Sequence, residues 1–221
     1  MMKKNGFTLA EVLITLAIIG VVATLTLPAL MTNTQEQQAR TGLKKGINTL
    51  TEAAQMNQAI AGFDYASFNE TSTNDTESQS LYGLLANRTN VDYQLTGSDT
   101  NAADAVNNGA SNFVVFFRDG SALAFPNDTN TLVTNAQVSA QQGDGLVYGI
   151  KAIYDTNGQK GPNLLSNCNG SAGMLNNAAQ NDSSTDCSVK SNRVIKDQFG
   201  VRLRGGYAVP NGAAARWAFD N

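Results

Sequence analysis

The chain has 221 residues, 42% of them apolar and 15% charged, with a formal net charge of −3. That length suits an anchor plus one modest globular domain, and the acidic balance offers no overall basic footprint for nucleic acid. With no histidine and only two cysteines, Ser-His-Asp triads and Cys-His pairs are excluded and a tetrahedral zinc site is implausible.

A short basic leader, Met1-Met2-Lys3-Lys4-Asn5-Gly6, runs directly into Phe7-Thr8-Leu9-Ala10-Glu11. Val12 to Met31 then carries no charge, and about 20 helical residues suffice to cross a bilayer. Glu11 sits near the start of this run, where burial of its charge in lipid costs about 2.5–3.5 kcal/mol. A charge kept at that cost needs a partner. An ordinary secretory signal is cut after its apolar region, behind small residues, and Leu25-Thr26-Leu27-Pro28-Ala29-Leu30 fits that pattern poorly. Lys3 and Lys4 flank the span, and few positive charges follow it. The positive-inside rule therefore puts the leader in the cytoplasm and everything after Met31 outside.

Lys3-Lys4-Asn5-Gly6-Phe7-Thr8-Leu9-Ala10-Glu11 before an apolar helix resembles the class III signal of the type IV pilin family. That family includes type IV pilins and the pseudopilins of type II secretion and DNA uptake. The resemblance covers only the N-terminal region. It implies cleavage between Gly6 and Phe7 by a prepilin peptidase, followed by methylation of the new Phe7 amine. Pro28 falls where many members carry a helix-kinking proline. The resemblance also implies an inner-membrane protein with a single span, passed to an assembly platform and packed with copies of itself and other pilins. Cleavage would leave a positive amine on Phe7, four positions before Glu11. Pairing the amine of one subunit with Glu11 of its neighbour would offset the desolvation of both charges and penalise any other register. Phe7, Glu11 and Pro28 are thus the expected assembly residues.

From Thr32 to Ala61 the composition turns polar, yet Leu43, Ile47, Leu50, Ala53 or Ala54, and Ile60 keep one apolar face. Gly42 and Gly46 weaken the helix locally, and Gly62 is a natural stop. The expected organisation is a leader at 1–6, a membrane or filament-core helix at 7–31, its amphipathic continuation at 32–61, and a head at 62–221. The long helix is expected to bend or loosen near Pro28. Phe63 to Asn112 is polar and reads as loop, apart from one short helix around Ser78 to Ala86.

The period then changes. Asn112 to Arg118 is β-branched and aromatic, Asp119-Gly120 is a hairpin signal, and Ser121 to Phe125 reads as the returning strand. Further strands are expected at Leu146 to Tyr154, Gln198 to Arg204 and Tyr207 to Val209. A long helix, a variable loop and a meandering antiparallel sheet make an α+β order, and the family resemblance implies the helix lying across that sheet.

Two features of the head bear on chemistry. Asp155-Thr156-Asn157-Gly158-Gln159 alternates oxygen-bearing side chains as calcium loops do. With Asp197 as a second acid, Asp155, Asn157, Gln159 and Asp197 form a possible calcium set. The competing reading is a tight Asn-Gly turn with a rigid Gly161-Pro162 exit. Cys168 and Cys187 lie in the exported part, where a disulfide is expected, worth about 3 kcal/mol. No catalytic constellation is visible, and the expected function is structural: a subunit of a type IV pilus or a type II secretion-like pseudopilus. The alternative is a minor or tip pilin whose head binds DNA, a surface or a secreted substrate.

Overall fold

The computed structural model describes residues 6–67, 79–96, 112–126, 149–168, 187–189, 191 and 193–221. The leader's first five residues, positions 146–148 of the expected third strand and most of the disulfide-bounded loop lie outside the described residues. The chain divides into two compact units, Met1–Gln38 and Ala39–Asn221.

Helix α1, Leu9–Ala61, runs unbroken through Pro28. In the first unit its large apolar side chains are exposed, from Leu9 through Met31. Its threonines do not need water: the hydroxyls of Thr15, Thr24, Thr26, Thr32 and Thr34 donate to carbonyls three or four residues back, at 2.6–3.0 Å. This internal satisfaction is what an apolar surrounding requires. Thr32 donates to the Pro28 carbonyl itself. α1 ends at Gly62, which takes φ 78°, a left-handed conformation that suits glycine.

The second unit is built on a six-stranded antiparallel meander: β1 (Val91–Thr96), β2 (Asn112–Phe117), β3 (Ala122–Pro126), β4 (Ile150–Asp155), β5 (Gln198–Arg204) and β6 (Tyr207–Pro210), in that spatial order. Alternation decides the two faces. Phe113, Val115, Leu123, Phe125, Phe199 and Val201 point into the main core together with Leu43, Ile47, Leu50 and Ala54 of α1. Helix α2, Leu81–Arg88, adds Leu81, Leu84 and Leu85 to the same core. Ser80 caps α2, its hydroxyl accepting the Gly83 amide at 3.0 Å. The opposite sheet face carries a smaller cluster, including Val114, Phe116, Ile153 and Leu165.

Three expectations need correction. β1 forms within the stretch read as loop. Ile60 is 66% exposed, so the core stripe of α1 stops at Ala54. A C-terminal helix, α3 (Ala213–Asp220), was not expected from the sequence. It buries Ala213, Ala214, Ala215 and Ala218. The guanidinium groups of Arg40 and Arg193 both lie over its Trp217 ring, at 4.8 and 3.7 Å from the centroid. Cys168 and Cys187 form the expected disulfide and pack against Ala213 and Ala214.

The α1 glycines are contact points rather than mere weak spots. A Cβ on Gly46 would stand 2.2 Å from the Tyr154 ring, and one on Gly42 would stand 2.8 Å from Thr156 Cβ. Tyr154 is a buried member of the main core, so displacing its ring disturbs established packing. Gly46→Ala should lower the stability of the full chain in detergent by about 1–2 kcal/mol, overpacking outweighing alanine's better helix propensity. Denaturant titration checks this, and an unchanged midpoint would contradict it.

Candidate functional site

The N-terminal site is built locally. Gly6, Phe7 and Thr8 precede the helix in irregular backbone. Phe7 is 87% exposed, and among the described residues beyond its chain neighbours no atom lies within 4 Å of a Cβ built on Gly6. No described residue beyond its neighbours in the chain therefore blocks the Gly6–Phe7 bond. Thr8 and Glu11 close a reciprocal cap. The Thr8 amide and hydroxyl both donate to Glu11 Oε2 at 2.8 Å, and the Glu11 amide donates to the Thr8 hydroxyl at 3.3 Å. This Thr-x-x-Glu capping box satisfies two donors that would otherwise be orphaned at the helix start. Glu11 thus has a partner inside its own chain. The sequence reading missed Thr8, although the spacing of the two residues is itself the signal. Pro28, the third expected assembly residue, is exposed and lies well along the same helix.

The second site is the turn after β4. Asp155 Oδ1 accepts the amides of Asn157 (3.0 Å) and Gly158 (2.8 Å), and its Oδ2 accepts Gln198 Nε2 at 2.9 Å. Asp197 accepts the amides of Asn163 (2.7 Å) and Leu164 (3.0 Å). Gly158 holds φ 64°, and a Cβ there would stand 2.5 Å from the Gly120 carbonyl of the β2–β3 turn. The two acids act as backbone clamps at the entry and exit of one loop. Burial pushes the Asp155 carboxyl up to about 7; its hydrogen bonds oppose the rise and the neighbouring Asp197 charge adds to it.

Asp155 and Asn157 therefore stand at the start of a loop whose far end is held by Asp197, just before β5, whereas Gln159 is exposed to solvent. The Oδ1 atoms of Asn157 and Asn163 are buried without a hydrogen-bond partner. Asn163 did not stand out in the sequence, because it lies beyond the alternating run. Among the described residues, no group of three or more Asp, Glu, His or Cys side chains could hold a metal ion.

Comparison with known proteins bears on the first site. Residues 1–27 match the family model described as "Prokaryotic N-terminal methylation motif". The chain carries a prepilin signal. This is the class III signal of type IV pilins and pseudopilins, and it implies processing by prepilin peptidase and assembly with other pilins. It points to a structural, non-enzymatic, membrane-anchored protein. α1 is the one described helix long and apolar enough to cross a membrane. No curated protein and no solved structure matches the chain.

Proposed function

We propose that this chain is a structural subunit of a type IV pilus or a type II secretion-like pseudopilus. It is cut between Gly6 and Phe7, methylated at Phe7, held in the bacterial inner membrane with its leader in the cytoplasm, and then packed helix against helix into a filament. The observation that carries this reading is the prepilin signal on a helix whose apolar side chains, from Val12 to Met31, find no cover in their own chain. Apolar surface of that extent needs lipid or another apolar helix.

The capping box sharpens the assembly role of Glu11. In the membrane-held subunit the carboxylate rests on Thr8, and in the filament its charge also meets the Phe7 amine of a neighbour. A neutral glutamine keeps an oxygen for the cap and loses the charge. Both Glu11→Ala and Glu11→Gln should cut incorporation into sheared filaments by at least about tenfold while leaving membrane insertion intact. Filament yield at the parent level in Glu11→Gln would show that capping alone matters.

We further propose that calcium binds at the Asp155 loop. The supporting observation is the pair of buried, unpartnered Asn157 and Asn163 oxygens beside two carboxylates that still have lone pairs to give. These four residues would hold the ion, and its charge would stabilise the two neighbouring acids. Calcium added after chelation should raise the Tm of the full chain in detergent by several degrees, and Asp197→Asn should abolish the increment. An unchanged Tm in the parent chain would refute the assignment.

A further inference from the structure

A cavity of about 330 Å³ opens among described residues of the second unit, between α1, the α2–β1 junction and the β2–β3 hairpin. It belongs neither to the N-terminal site nor to the Asp155 loop. Its apolar wall is Leu50, Phe117 and Tyr154, and its polar wall is Thr49, Thr89 and Asn90. The three apolar side chains are buried members of the main core, so the floor is held by packing. The cavity falls in the size range of small-molecule sites, which combine an apolar body with a few convergent polar groups.

The charges around it do not cancel. Lys45, Asp119 and Arg118 also line it. Lys45 Nζ lies 2.7 Å from Asp119 Oδ2, and Asp119 Oδ1 accepts the Ser121 amide and hydroxyl at 3.0 and 2.6 Å. Asp119 is thus fully engaged, and its charge is matched by Lys45. Arg118 remains, exposed and with no side-chain partner among the described residues. Its backbone is fixed, because its amide donates to the Asn90 carbonyl at 2.9 Å. Arg118 is an exposed cation lining the same cavity as Phe117 and Tyr154, a combination that suits a carboxylate on an aromatic body, by charge-assisted hydrogen bonding to the guanidinium and packing of the ring.

We propose that this cavity binds a small aromatic monocarboxylic acid, with the ring against Phe117 and Tyr154 and the carboxylate on Arg118. Binding here does not depend on filament assembly, so it stands or falls apart from the proposed function.

The test uses the full chain in detergent micelles and 4-fluorophenylacetate as probe, followed by fluorine NMR line broadening with the micelle-only signal subtracted. The expected result is saturable binding, weakened about tenfold by Arg118→Gln and abolished by Thr49→Phe, which places a ring in the mouth. Lys151→Gln, which removes a cation from the other sheet face, should leave it unchanged. The neutral probe 4-fluorophenylacetamide should bind at least about tenfold more weakly. Absence of saturable binding, equal binding of acid and amide, or full binding by Arg118→Gln would each overturn the proposal.

Discussion

The apolar side chains between Val12 and Met31 are not buried by their own chain, and everything else about this protein follows from that constraint. Water tolerates isolated exposed apolar residues but not a continuous sleeve of them. The helix answers most of the backbone half of the problem by itself, since interior peptide groups pair along it; the exception is at Pro28, which has no N–H to give the Thr24 carbonyl. It answers the side-chain half by folding each described threonine hydroxyl of the span back onto a carbonyl. What it cannot supply is apolar cover, which lipid would offer and, under the proposed function, neighbouring helices of a filament would offer later. A segment made this way suits transfer between the two surroundings, because neither requires it to unfold.

The same helix has a different task beyond residue 39. There the stripe of Leu43, Ile47, Leu50 and Ala54 is one wall of a core whose other wall is the sheet. Gly42 and Gly46 let Thr156 and Tyr154 come closer to the helix than any side chain would allow. Glycine's cost in helix propensity is thereby offset by contact. The residue after Tyr154 is Asp155, which clamps the next turn, so helix packing and loop geometry are joined through three consecutive residues. At the far end of the chain, Trp217, with Arg40 and Arg193 over its ring, ties α3 to α1 and to the segment after Cys187.

Much of this architecture was legible in the residues. The amphipathic period of α1, its glycine stop, the Asp119-Gly120 hairpin and strands β5 and β6 all carry local signals strong enough to read directly. β1 was not legible, because Val-Asp-Tyr-Gln-Leu-Thr lies in a polar stretch and owes its strand state to pairing with β2. α3 was missed because it is only eight residues long and begins at Gly212 with no side-chain cap to mark its start; its burial comes from packing against the disulfide and the sheet. Ile60 fits the stripe by spacing, but the core ends before the helix does. At the N-terminus, the prepilin signal was plain, while the Thr8 cap on Glu11 was overlooked although its three-residue spacing is a known local rule. In the Asp155 loop, alternation pointed to Gln159, whereas the fold buries the Oδ1 of Asn163, which no local period could have selected.

The account rests on processing at Gly6–Phe7, and the N-terminus of the protein purified from membranes tests that most directly. Mass spectrometry of the N-terminal peptide should show a chain that begins at Phe7 and carries a methyl group on its amine. A protein that retains the leader, or that is cut beyond the apolar run, would contradict the account.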